Sequence, residues 1–208
     1  MDVHSQLIHA ALQVYAEAGS RGATTRRIAE VAGVNEVTLF RHFGSKDSLV
    51  RRALEWVAAH ALSLRLPAEP TDPGAELLAF CRAQHSALFQ VRALVRRTMA
   101  EHEEHPEAAA VARHITAGIE HELRSYLERL RHGGFTTEPW ETQIACAMLM
   151  GTLFADAVGR DCWPDRYPTP ADEAVAGYVG LFRRALGIRD AVPAAVPAAV
   201  GLRRTHQE

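Results

Sequence analysis

Lysine is almost absent from this chain: of its 23 basic residues, Lys46 is the single lysine and all the others are arginine. Cysteine is scarce as well. Cys81, Cys146 and Cys162 are odd in number and lack a CxxC spacing, which offers no disulfide framework and suits reduced thiols buried as small hydrophobes. Long apolar runs are missing. The longest uncharged, apolar-rich stretch, Thr142 to Ala155, has 14 residues, short of the roughly 18 that suggest a membrane span. The N-terminus shows no basic-then-apolar signal pattern, so the expectation is a cytoplasmic protein with no membrane partner. No sign of charge dominates either: the formal net is −2, which marks neither an acidic tail nor a histone-like cation. Strand-like alternation, a nucleophile elbow, a phosphate loop and a zinc-hydrolase pattern are all absent, and no cofactor is implied. At 208 residues and 48% apolar, the chain is long enough for one or two domains with real cores.

What the chain does hold is concentrated between Thr24 and Leu49, in TTRRIAEVAGVNEVTLFRHFGSKDSL. Thr24 or Thr25 can cap a helix through its hydroxyl, with Ile28, Ala29 and Ala32 recurring behind it as a buried stripe. Gly33 follows the last periodic residue, where a left-handed residue is cheapest, and Val34 is placed to plug the angle between two helices. Asn35 caps the next helix. In it Leu39 and Phe43 share one face, leaving Glu36, Val37, Thr38, Arg41 and His42 mostly on the other. A short helix with such a mixed face suits the major groove, where base edges offer donors, acceptors and thymine methyls. Gly44 ends it, and Ser45 caps a helix that begins Lys46-Asp47.

From about Leu7 to Leu49, with TLFRHFGSKDSL the most specific tract, the sequence resembles the DNA-binding domain of the TetR-type transcriptional repressors. The resemblance implies residue roles on double-stranded DNA. Arg26 becomes the candidate for bidentate contact to guanine, and Thr25 a phosphate contact at the helix start. Glu36 either accepts from a cytosine amine or simply favours the helix N-terminal dipole. Val37 packs on a thymine methyl, while Thr38, Arg41 and His42 hold the backbone. Phe40 stands where the family usually has tyrosine, so the phenol that commonly bonds phosphate is lost or replaced. Glu36 also departs from the small or basic residue usual there.

Lys46 poses an electrostatic question, because a cation in the first turn opposes the helix dipole. Family resemblance sets it against a DNA phosphate; the alternative is a chance lysine neutralised by Asp47. Over residues 1 to 50, Arg21, Arg26, Arg27, Arg41 and Lys46 are balanced by Asp2, Glu17, Glu30, Glu36 and Asp47. Without a basic patch, this head should bind by placed contacts and depend on dimerisation for useful affinity.

The rest reads as helical, giving an all-α fold of about nine helices: a helix-turn-helix domain at 1–50, a helical effector-binding and dimerisation domain at 51–190, and an Ala-Val-Pro tail at 191–208 without assigned function. A first helix from Val3 to Ala18 braces the reading pair, and the helix begun at Lys46 continues to about Leu64. Pro67, Pro70 and Pro73 form a linker, with Asp72 capping the next helix. Further helices are expected at about 73–89, 92–105, 107–132, 138–160 and 170–186, with Gly133-Gly134 and Gly187 as stops, and Thr137 with Pro139 and Thr169 with Pro170 as starts.

The last two helices are apolar on most sides. Ala145, Met148, Gly151, Thr152 and Ala155 on one, with Val175, Tyr178 and Phe182 on the other, are expected to form a two-fold homodimer interface. Such a dimer spaces its reading helices about 34 to 36 Å apart and predicts a palindromic operator. By position in the family, Gln84, His85, Met99, His102, Ile115 and Ile119 are candidates to line a pocket for a small-molecule effector. The EHEEH cluster at 101–105 is a weak metal pattern. A rival reading, a helical-bundle metal-dependent enzyme, needs Glu-x-x-His pairs, and no Glu or Asp in the chain is followed three residues later by His.

Overall fold

A computed structural model describes residues 2–61, 65–100, 103, 106–136 and 138–190, and among them every regular element is a helix. The expected tail at 191–208, Thr137 and His102 lie outside the described residues, as does all of the EHEEH cluster save Glu103.

Helix α1 (Val3–Gly22) is capped by Asp2, which accepts from the Ser5 N–H at 2.7 Å. It passes the expected end near Ala18 but breaks where the glycine stands, since Gly19 takes φ 68° and ψ −176°. Helix α2 (Thr25–Ala32) is capped by Thr24, whose hydroxyl accepts from the Arg27 N–H at 3.2 Å. Gly33 then turns left-handed, and the N–H groups of Gly33 and Val34 donate to the carbonyls of Glu30 and Ala29. That pair of bonds is the Schellman closure, and it needs a residue at ease with positive φ. Helix α3 (Glu36–Phe43) is capped by Asn35, whose Oδ1 accepts from the Val37 N–H at 2.9 Å. Ser45 caps α4 (Lys46–Ala61) through a 3.1 Å bond from the Ser48 N–H.

These four helices close over Leu7, Val14, Ile28, Leu39, Leu49 and Ala53. Each fully buried Leu or Ile contributes about 1.5–3 kcal/mol relative to exposure, so an eight-residue helix such as α3 is held by packing rather than by its own propensity. Leu94, on a helix of the second domain, also belongs to this core. Helix α4 runs unbroken across position 50, and Ala53 beyond that position still belongs to the head's core.

The proline segment is fastened down. Leu66 is buried, its N–H donates to Glu122 at 2.9 Å, and Arg65 pairs with the same carboxylate at 3.1 Å. Beyond it come α5 (Pro73–Gln90), α6 (Arg92–Ala100), α7 (Pro106–His132), α8 (Thr142–Gly159), a short 3-10 turn (Pro164–Arg166) and α9 (Ala171–Ala185). Asp72 caps α5, accepting from the Ala75 N–H at 3.0 Å. Gly134 and Gly187 close α7 and α9 as expected. Leu77, Leu123, Leu127, Leu130, Leu153 and Val175 make the body's core.

Two expected starts are corrected. Helix α8 begins at Thr142 rather than 138, because the preceding segment is spent on the end of α9. The Thr136 hydroxyl and the Trp140 indole both donate to the Leu186 carbonyl, at 2.7 and 3.2 Å, and the Arg189 N–H donates to Phe135 at 2.9 Å. The residue capping α9 is Pro170, with no side-chain cap from Thr169. By length and apolarity alone α8 could cross a membrane, yet eight of its residues are buried in the chain's own fold, Asp156 among them.

Candidate nucleic-acid interface and ligand cavity

The caps fix α3 at both ends, and its outward face is mostly apolar at the centre: Val37 is 72% and Phe40 46% exposed. Arg41 and His42 are exposed beside them, Thr38 is half-buried, and the His42 ring lies 6.5 Å from that of His4 at the start of α1. Asn35 serves its own helix as cap. Arg26 is exposed, and its partner among the described residues is Glu30, i,i+4 at 3.0 Å, a surface pair worth a few tenths of a kcal/mol. It can therefore turn to a base edge at little cost. Arg27 instead ties α2 to α1 through Glu17 at 2.9 Å.

Three expected contacts are already engaged within the protein. The Thr25 hydroxyl donates to the Glu36 carboxylate, joining the starts of α2 and α3, so neither group is presented unpaired to the duplex. Glu36 thereby acts as a brace between the helices, which gives an acidic residue at this position a role within the protein. Lys46 donates to the Ser20 carbonyl at 3.1 Å, across to the end of α1.

Behind the head lies a cavity of about 460 Å³ walled by five helices. Of the expected lining residues Gln84, Ile115 and Ile119 reach it. His85 does not: it is buried against Asp156, with Nε2 2.8 Å from Oδ1. Met99 is exposed and lies outside the wall. Sequence reasoning missed Trp56 and Val57 from α4, Val91 and Val95 around the start of α6, and Phe154 from α8. No local pattern marks them, because the cavity arises only when helices distant in sequence converge. Trp56 and Val57 also pack on the head's core, and α6 sends Leu94 into that core while Val95 lines the cavity.

Beside the cavity, α5, α8 and α9 are joined by a buried carboxylate. Asp156 accepts from Arg160 at 2.7 and 2.6 Å and from Tyr178 at 2.6 Å, in addition to His85. Burial pushes the Asp156 carboxyl upward, but these bonds, Arg160 first, outweigh it and hold the group below its ordinary value. Burial and the same bond push the Tyr178 phenol up to about 12. Asp161 is held down at about 2 by Arg92 and Arg96, which clamp α6 to the end of α8. Burial pushes the Cys81 and Cys146 thiols up to about 12 and about 11, leaving them unreactive; Cys162 is exposed.

The expected dimer face is corrected in part. Ala145, Val175 and Phe182 are buried in the body's own core, and Tyr178 is spent on Asp156. Met148, Gly151, Thr152 and Ala155 do lie on the exposed side of α8, joined there by Ile144 and, from α9, Leu181, which are 64% and 62% exposed.

Comparison with known proteins finds a family likeness in the head. Residues 7–53 match the model of bacterial regulatory proteins of the tetR family. Over 51 residues the chain is 41% identical to YvkB of Bacillus subtilis, described as an HTH-type transcriptional regulator, covering 24% of this chain and 27% of that one. Over 71 residues it is 34% identical to the HTH-type transcriptional repressor Rv3405c of Mycobacterium tuberculosis, covering 34% and 38%. The matched stretches thus span well under half of those relatives and concern chiefly the head. The whole fold is shared more widely: the TetR-family regulator PfmR of Thermus thermophilus superposes with a TM-score of 0.61 at 20% identity, over 86% of this chain and 97% of that one. The metal-enzyme alternative finds no support in these relatives, and among the described residues no three His, Cys, Asp or Glu are gathered to hold a metal. With caps and turn in place, the head at residues 7–53 is similar to the DNA-binding domain of the tetR family of bacterial regulatory proteins, and the body shares the fold of a solved TetR-family regulator.

Proposed function

We propose that this chain is a homodimeric, sequence-specific DNA-binding regulator, a repressor that leaves a palindromic operator when a small molecule fills the cavity. The observation that carries the reading is the double duty of α6: Leu94 sits in the head's core while Val95 of the same helix walls the cavity. A ligand pressing on α6 therefore presses on the element against which α1 rests. It needs only a different affinity for two head spacings to shift the population between them. The exposed apolar face of Ile144, Met148 and Leu181 supports pairing with a second copy. Arg26, Val37 and Phe40 are the proposed base readers, with Thr38, Arg41 and His42 on the backbone and Thr25, Asn35, Glu36 and Lys46 holding the reading helices. A cytoplasmic location goes with such a role.

The test is selection of bound fragments from the genome carrying this gene, followed by footprinting. A two-fold symmetric site with half-sites about one helical turn apart is expected. Binding that prefers no sequence would overturn the proposal.

A further inference from the structure

Glu120 is the one charged residue among the described residues that wall the cavity; Gln84, Gln90 and Thr116 supply its neutral polar groups and the rest is apolar. No described residue forms an ion pair or hydrogen bond with the Glu120 carboxylate. Cations near by are turned elsewhere. Arg124, one turn along α7, reaches Gln143 at 3.5 Å, while Arg92 and Arg96 are committed to Asp161 and to the carbonyls of Phe89 and Val158.

We infer that the molecule bound here is a small apolar cation, with an ammonium or comparable positive group against Glu120 and its hydrocarbon or aromatic body among Trp56, Ile119 and Phe154. This rests on the cavity being the effector site. Glu120 is half-buried, and a carboxylate at the edge of an apolar wall attracts positive charge more strongly than one in open water and gives up part of its hydration when the cavity fills. A cationic ligand offsets that loss. A fatty acid or phosphate ester would meet like charge with no cation in the described wall to balance it. The aromatic rings of Trp56 and Phe154 suit the same guest, because π-faces attract cations. The volume, about 460 Å³, falls within the range of small-molecule sites.

The experiment uses the full chain and three probes of one skeleton, octyltrimethylammonium, octanol and octanoate, each below its micelle-forming concentration and titrated by calorimetry. The cation is expected to bind about tenfold more tightly than octanol, with octanoate weakest. Glu120→Gln should bring the cation level with octanol and leave octanol unchanged, and Glu120→Lys should reverse the order of cation and octanoate. Circular dichroism of both variants checks that they are folded. If octanol binds and the cation holds no lead, or keeps its lead in Glu120→Gln, the charge assignment is overturned while the effector reading stands. If none of the three binds, the effector reading falls and takes this inference with it.

Discussion

Lys46 donates its ammonium to the backbone carbonyl of Ser20, 3.1 Å away and 26 residues earlier in the chain. The contact accounts for a cation placed against its own helix dipole. Ser20 lies just past the Gly19 break in the last turn of α1, where the helix dipole presents its negative end. Lys46 opposes one helix end while satisfying another, and fastens the start of α4 to the end of α1. A compact ammonium on a flexible stem suits a single carbonyl better than the flat fork of arginine.

Replacing Lys46 by Met should therefore cost the head about 1–2 kcal/mol, the usual worth of a charge-assisted bond to a partly buried carbonyl. Affinity for all DNA sequences should fall together, with the slope of log affinity against log salt unchanged. Denaturant melts and salt-dependent binding measure the two effects. A slope reduced by about 0.9 would show instead that Lys46 neutralises a phosphate in the complex.

Arg26→Ala should behave oppositely. Its surface pair with Glu30 is weak, so stability should change by less than about 0.5 kcal/mol. Discrimination at one operator base pair should fall by about 1–3 kcal/mol, the worth of one bidentate base contact. Binding to a library of single-position operator variants reads this out. Uniform weakening across the library would remove Arg26 as a reader.

The contrast between these two residues shows what the sequence discloses. Thr24, Gly33, Asn35 and Ser45 act on groups within five residues of themselves, so their roles can be read from order alone. The bond from Lys46 to Ser20 spans 26 residues and has no local signature. The same holds for the body. Helices α8 and α9 are apolar on nearly every side, so periodicity cannot say which stripe serves the chain's own core. Ala145, Val175 and Phe182 went inward and Ile144 and Leu181 outward because α5 and α7 occupy one side. His85 likewise turned from the cavity because a buried Asp156 required its ring.

That requirement gives stability an acid limit. The Asp156 carboxyl is held below its ordinary value of 3.8 in the folded chain, so the unfolded state binds more protons in that window and stability rises with pH there. The contribution is complete above about pH 4 and disappears as pH falls through the lowered folded value. Asp156→Asn should lose several kcal/mol at neutral pH, about 3–5 if Arg160 is left as an uncompensated buried charge. It should also lose less than the parent on further acidification. Urea midpoints at about pH 7, 4 and 3 test both. Parallel losses in the two proteins would place the acid sensitivity elsewhere, with Asp161 the next group to replace, since Arg92 and Arg96 hold it at about 2.

The outer face of α8 and α9 separates folding from assembly. Met148 and Leu181 are 54% and 62% exposed, so a charge at either leaves the core of one copy undisturbed. At a two-fold interface each substitution enters twice, and opposed like charges near the axis are brought together out of water. Met148→Arg or Leu181→Glu should therefore weaken self-association by roughly a hundredfold or more, about 1.4 kcal/mol for each decade. Helical circular dichroism and the melt of the isolated copy should be kept. Light scattering after size exclusion measures the mass, and binding to whole and half operators measures the consequence. Because the head carries no net charge over residues 1 to 50, one copy has little bulk attraction for DNA. Loss of the dimer should then abolish whole-site binding without altering which bases are preferred. A variant that stays dimeric would move the interface off this face, and a monomer that still holds the whole operator would show that the head's own contacts suffice.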